Sequence, residues 1–303
     1  METIAGLLEQ HKVETLIILG DLTEQKDHHG AGHVNDVVEL LYCLTQFCPV
    51  IVLRGNHDYV DADAPFFMFT RRLERLTWVN KPQLINVQGL RAWFLPHTMN
   101  YVRDWANLDW DLSHLIFAHQ TFQGASIGRD LRLEGIPMKV IPSGRLVISG
   151  DIHVPQYLSP VLYTGSPFTV DFGDDFEPRV ILLKSEREWQ SIPVPGAQKR
   201  LLVLGSDGVG VQGFANPGDI VKIRCRLEPA DQEHWPEIKS QIRQAFAHCQ
   251  IYAIQPEYDS KPSIAPVTPG LVKTDQQVVR DFAKQVKWSQ SVLETGLDLC
   301  GAA

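Results

Sequence analysis

Seven side chains of the 303-residue sequence combine metal affinity or proton-transfer ability with a telling placement: Asp21, Asn56, His57, Asp58, His119, Asp151 and His153. Carboxylate and amide oxygens and neutral imidazole nitrogens are donors that divalent cations such as Mn2+ and Mg2+ accept. Asp21 has two oxygens and is the natural bridge between two ions about 3.5–4 Å apart, the spacing at which a cation pair activates water. Asn56 offers an oxygen, and His119 and His153 offer ring nitrogens. Asp151 and His153 stand at i and i+2, which in extended backbone puts them on one face. His57 has the chemistry of a general acid, and its neighbour Asp58 is expected to orient it.

Each of these groups follows or ends a run of strand length, predicted at 13–19, 50–54, 114–120 and 145–150. The runs are continuously apolar, as expected of parallel strands buried on both faces and joined by helical crossovers. Helices are predicted over 1–12, 34–47 and about 65–77, and a strand over 13–19. Strands at 84–88 and 90–95 should form a hairpin through Gln88-Gly89. The expected fold class is α/β: a sandwich of two mixed β-sheets flanked by helices.

Pro and Gly at 192–196 suggest the end of a first domain, 1–195. In 196–258, alternation over 219–227 and a helical stripe of Trp235, Ile238, Ile242, Phe246 and Cys249 precede a strand at 251–254, giving a small βαβ unit. Pro-rich residues open the last segment, 259–303. It is expected to end in a helix that starts at Thr274 and carries Val278, Val279, Phe282 and Val286.

A formal charge of -8 argues against a protein that coats nucleic acid by bulk electrostatics. The five cysteines show no paired or CxxC spacing, which points away from a disulfide framework or a zinc cluster. No run is long enough to span a bilayer and no leader pattern is visible, so a cytoplasmic protein with no membrane association is expected.

The ordered blocks Gly20-Asp21, Gly55-Asn56-His57-Asp58, His119 and Gly150-Asp151-Ile152-His153 resemble the calcineurin-like metallophosphoesterase signature. Within that superfamily the chain is most similar to the SbcD-type DNA exonuclease branch. The segments His119-Gln-Thr-Phe-Gln-Gly124 and Tyr163-Thr-Gly-Ser-Pro-Phe168, with Asp171-Phe-Gly-Asp174, carry that likeness. The resemblance covers about residues 1–184, and more loosely the βαβ unit, where the family has a DNA-capping domain.

What the resemblance implies is a DNA phosphodiesterase of recombination and repair, using two divalent cations, Mn2+ first and Mg2+ second. It implies an SMC-like ATPase partner and leaves pairing of two copies open. One metal would take Asp21, Asn56, His119 and Asp151. The other keeps only Asp21 and His153, because the family's D-x-H block has no counterpart before Asp21. Asp151 stands where the family has histidine, and Glu24 where it prefers aspartate.

Arg129, Arg132 and Arg145 are candidate DNA contacts, whereas Lys222, Arg224 and Arg226 read as a solvated strand face. His28, His29 and His33 read as a solvated loop, and His97 has no assigned role. Two alternatives stay open: a catalytically impaired scaffold for the ATPase, and a phosphoesterase for small nucleotides.

Overall fold

The apolar runs do form the strands that carry the chemistry. The computed structural model describes residues 2–128, 131–208, 210–258, 279–280 and 282–284. In chain order the elements are α1 (Glu2–Gln10), β1 (Leu16–Ile18), α2 (Ala31–Phe47), β2 (Val50–Leu53), β3 (Leu76–Val79), β4 (Gln83–Val87) and β5 (Leu90–Leu95). There follow α3 (Tyr101–Asp104), β6 (Leu115–His119), β7 (Leu146–Gly150), β8 (Gln156–Leu158), β9 (Val161–Tyr163), β10 (Arg179–Leu183) and β11 (Trp189–Pro193). The last are β12 (Lys199–Leu204), β13 (Gly210–Gln212), β14 (Ile220–Leu227), α4 (Trp235–Ala245) and β15 (Gln250–Tyr258).

Two sheets build the sandwich. One is β1-β2-β3, parallel throughout; the other is six-stranded, in the order β4-β5-β6-β7-β9-β8, with antiparallel pairs at both edges and parallel pairs inside. Only the second is therefore mixed. Ile51, Leu53 and Val79 of the small sheet meet Phe94, Phe117, Ile148 and Leu162 of the large one in an apolar layer. On the other face of the small sheet, Val50 and Val52 pack under Leu8 of α1 and Leu41 and Leu44 of α2. Burial on both faces explains why these strands read as unbroken apolar runs.

The helix expected near 65–77 is instead a 3-10 turn, Phe66–Arg72, followed by β3. Arg75 adopts a left-handed backbone, φ 64, that helix cannot continue through. Leu76–Val79 then pair in register with Val50–Leu53. The predicted hairpin is present, and positive φ at both Gln88 (50) and Gly89 (88) is the conformation of a type I′ turn.

A four-stranded sheet, β13-β12-β14-β15, holds Leu202, Val221, Ile223, Cys225 and Ile254 against Ile238 and Ile242 of α4. The sequence pattern supplied β14, α4 and β15 but not β12, which lies parallel to β14. The chain divides into two compact units, Met1–Tyr258 and Asp259–Ala303, so this sheet shares a unit with the strands before it. Gln198 and Lys199 tie it to the loop after β9: Thr169 N–H and hydroxyl donate to Gln198 Oε1, and Lys199 Nζ donates to the Val170 carbonyl at 2.6 Å.

The Pro-rich segment and most of the residues predicted to form the C-terminal helix lie outside the described residues; 279–280 and 282–284 are helical. Among the described residues, no helix is long and apolar enough to cross a membrane.

Candidate metal centre

The reactive groups gather beyond the C-terminal ends of β1, β2, β5, β6 and β7. Asp21 adopts a left-handed backbone, φ 56, which turns its carboxylate back over the strand ends. Asp58, 2% exposed, holds that turn in place. Its carboxylate accepts from the backbone N–H groups of Gly55 (2.6 Å), Asp21 (2.9 Å) and Leu22 (2.9 Å), stapling the β1 loop to the β2 loop. Burial, joined by the charge of Asp21, raises the Asp58 pKa against the pull of these amides.

Asp58 does not orient His57. With both of its oxygens occupied by backbone, it leaves that task to the Glu24 carbonyl, 2.7 Å from His57 Nδ1. The His57 backbone N–H donates to Asp21 Oδ1 at 2.9 Å, which fixes the bridge candidate from the β2 side.

Close approach explains the glycines of the motifs. A Cβ on Gly55 would lie 2.1 Å from Asp21 Oδ1 and 2.8 Å from His119 Cε1, and one on Gly20 would lie 2.4 Å from His119 Nδ1. Only bare backbone lets the three loops converge this tightly.

His119, 1% exposed, is the centre of the cluster. Its Nδ1–H donates to the Leu19 carbonyl at 2.5 Å, which leaves the Nε2 lone pair facing inward. Around Nε2 lie Asn56 Oδ1 at 2.8 Å, Asp21 Oδ2 at 3.3 Å and Asp151 Oδ1 at 3.8 Å. The other Asp151 oxygen takes the Thr121 hydroxyl. Among the described residues no lysine or arginine forms an ion pair with either carboxylate.

Four acceptors pointed at one another call for a proton or a cation. Burial alone would lower the His119 pKa, but Asp21, Asp151 and the Leu19 carbonyl outweigh it and hold it above the usual histidine value. Asp21 is the converse: burial would raise it, but His119 and the His57 amide bring it below the ordinary carboxylate range. Turned by half a rotation, the Asn56 amide would place its nitrogen 3.1 and 3.2 Å from the Asp21 oxygens and 2.8 Å from His119 Nε2. That is the hydrogen-bonded alternative to ligation.

Among the described residues no group of three or more His, Cys, Asp or Glu side chains forms a ready-made metal site. The donor set here needs the Asn56 amide as a member and is slightly open. Donors about 2.1 Å from one ion lie roughly 3.0 Å apart when adjacent in an octahedron. The Asn56 and Asp21 edges already fit one cation, and the longer 3.8 Å Asp151 edge needs only a small closure.

The second site finds no such set. The i, i+2 argument for His153 fails because Asp151 has φ 77, left-handed and not extended, so β7 ends at Gly150. Ile152 turns into the core and the His153 side chain is exposed.

Both described candidates among the three arginines bond to other groups. Arg145 sits at the start of β7, the end opposite the cluster, with its guanidinium spent on Trp110, Ser143 and Asp111. Arg132 donates to the Gly124 carbonyl at 3.0 Å. Arg129 lies outside the described residues. Arg224 and Arg226 are exposed on the face of β14 opposite α4. Of the loop histidines, His29 stacks on His33 and packs against Phe66 and Phe67, so it is less solvated than the sequence suggested.

Sequence reasoning missed Arg54. It is 7% exposed and donates to the Ala62 carbonyl (2.7 Å), Asn80 Oδ1 (3.0 Å) and the His97 carbonyl (2.5 Å), bracing three loops beside the cluster. A cation inside the otherwise apolar run that leads into Gly55 was the available signal.

Comparison with known proteins places residues 1–155, which include all seven chemical side chains, within the model of a family described as calcineurin-like phosphoesterase. "Putative phosphoesterase 244L" of Invertebrate iridescent virus 6 is 26% identical over 200 residues, 60% of this chain and 68% of that protein. "Putative phosphoesterase 078R" of Invertebrate iridescent virus 3 is 25% identical over 214 residues, 63% of this chain and 59% of that protein. The chain thus spans less than two thirds of the second relative. A solved structure of an archaeal phosphodiesterase aligns with TM-score 0.37 and 12% identity over 62% of this chain and 87% of that one.

Proposed function

The chain belongs to the calcineurin-like phosphoesterase family, and from that premise we propose that it is a divalent-metal-dependent phosphodiesterase acting on DNA. The observation that carries the reading is the convergence of Asp21, Asn56, Asp151 and His119 Nε2 next to His57. Members of this family generally use divalent metals, and Asp21, Asn56, His119 and Asp151 are the residues that would hold one here. A cation so held supplies positive charge for phosphate oxygens and acidifies water. The oxygen-rich set favours Mn2+ or Mg2+ over softer ions.

The protein's own groups have separate tasks. Asp58 keeps the Asp21 turn closed, and Thr121 and Leu19 orient Asp151 and His119. His57, its Nδ1–H donating to the Glu24 carbonyl, turns Nε2 toward the departing ester oxygen, to which it gives a proton when the ring is doubly protonated.

DNA as substrate is supported by the accessory segments 119–124 and 163–168 and by the exposed arginines of β14. An SMC-like ATPase partner, a DNA-repair setting, cytoplasmic location and assembly as a homodimer belong to the same reading. The left-handed backbone at Asp151, which ends the shared face with His153, favours a second one, a scaffold with weak single-metal chemistry. Incubation with Mn2+ and linear DNA, beside bis(p-nitrophenyl) phosphate, separates them. DNA cleavage that EDTA and Asp21→Asn both abolish supports the proposal. Turnover of the small diester alone removes DNA, and a folded protein that turns over neither leaves the scaffold.

A further inference from the structure

One imidazole beside the cluster has no part in the chemistry above. His97 follows β5, and its ring lies edge-on to the His119 ring, with centroids 6.3 Å apart and planes at 83°. The charges of Asp151 and Asp21 reach it there. It is held more firmly than a loop histidine needs to be. His97 N–H donates to the Arg54 carbonyl at 2.9 Å, and the His97 carbonyl accepts from the Arg54 guanidinium at 2.5 Å.

The side chain is fixed as well. Tyr59 Oη lies 2.9 Å from His97 Nδ1, and the Arg54 guanidinium sits over the Tyr59 ring, 4.4 Å from its centroid. A cation on the ring face draws electron density from the phenol and makes its O–H the better donor of the pair. With Tyr59 donating to Nδ1, the imidazole proton belongs on Nε2. Among the described residues Nε2–H has no hydrogen-bond partner.

A preset neutral donor without a partner, placed at the rim of a cluster of anionic and metal-ligating groups, fits an oxyanion better than it fits the core. Donors of this kind, oriented before the reaction, stabilise charge that develops on an oxyanion. We propose that His97 donates its Nε2–H to a non-bridging phosphoryl oxygen of the substrate and is a catalytic residue of this site, with Tyr59 as its positioning residue. The assignment rests on the phosphodiesterase reading above for its substrate, but its geometry is independent of which diester is cleaved.

The test uses the full chain loaded with Mn2+ and the variants His97→Ala, His97→Gln and Tyr59→Phe. Three quantities are measured: Mn2+ affinity, binding of inorganic phosphate by titration calorimetry, and kcat/KM on bis(p-nitrophenyl) phosphate. His97→Ala is expected to weaken phosphate binding about tenfold and to lower kcat/KM by roughly a hundredfold, the loss typical of one oxyanion donor. Mn2+ affinity stays unchanged. His97→Gln, whose amide nitrogen can stand near the Nε2 position, recovers part of both losses, and Tyr59→Phe costs several-fold in each.

Phosphate affinity within twofold of the parent in His97→Ala overturns the assignment. Where that variant does not fold, unchanged phosphate binding in both His97→Gln and Tyr59→Phe does so. A parent chain that binds phosphate through His97 but turns over no diester upholds the contact and sinks the phosphodiesterase reading. A parent that does neither overturns both.

Discussion

Replacing Asp58 tests how the site is held together. Its buried carboxylate takes three backbone N–H groups from two loops, at 2.6, 2.9 and 2.9 Å. Hydrogen bonds to a charged acceptor contribute roughly 1.5–3 kcal/mol each, and a simple sum overcounts because the loops relax and water enters. Asp58→Ala should therefore cost about 3–5 kcal/mol, close to the loss on breaking a buried charged network. At roughly 2–4 °C per kcal/mol for a domain of this size, the midpoint should drop by about 6–20 °C.

Asp58→Asn keeps one acceptor oxygen and turns an amide toward backbone donors, so about half of that loss is expected. Thermal unfolding followed by circular dichroism, with EDTA present to remove metal linkage, measures both. Mn2+ titration of the same variants should show weakened binding, because the Asp21 turn is released. The opposite pattern would refute this reasoning: Asp58→Asn melting with the parent but losing kcat would mean that the carboxylate serves His57 and not the loops.

Gly55→Ala should abolish Mn2+ binding and lower the melting temperature, since its Cβ would sit 2.1 Å from Asp21 Oδ1; a parent-like titration would contradict the packing. His153→Ala should leave Mn2+ affinity within about twofold of the parent, whereas Asp151→Asn should weaken it at least tenfold, roughly the loss of one 1.4 kcal/mol ligand contribution. The metal-free chain should lose stability as pH falls from 6.5 toward 4. His97, with a folded-state pKa of about 4, resists a proton that the unfolded chain accepts near 6.5. His97→Gln should flatten that slope in denaturant titrations at fixed pH values. His119 acts in the other direction, its raised pKa giving stability that is present below pH 6.5 and lost as pH climbs through the folded value. EDTA-treated parent should therefore fall in stability above pH 6.5 more steeply than His119→Gln.

Much of the site was legible because its positions are set by short-range rules. An apolar run ending in Gly-Asp or Gly-Asn-His-Asp specifies a buried strand and a tight polar loop, and β1, β2, β6 and β7 form where those runs predict. The hairpin at Gln88-Gly89 was legible for the same reason, since a turn is a local event. β3 and β12 were not. Each is a brief apolar stretch whose strand conformation comes from pairing with β2 or β14, distant in sequence.

By itself the sequence determined the α/β class, the order of the blocks and the oxygen and imidazole chemistry that Asp21, Asn56, His119 and Asp151 can offer, because residue type dictates ligand chemistry. Tertiary structure alone decided which atoms meet. Left-handed backbone at Asp151 breaks the shared face expected for Asp151 and His153, and the amides of two loops claim Asp58 in place of His57. Arg54 and Tyr59 bring His97 to the rim. The physical reason is one of scale: a side chain's chemistry is carried in its own atoms, but its direction depends on one backbone dihedral and on partners tens of residues away, which a linear pattern does not encode.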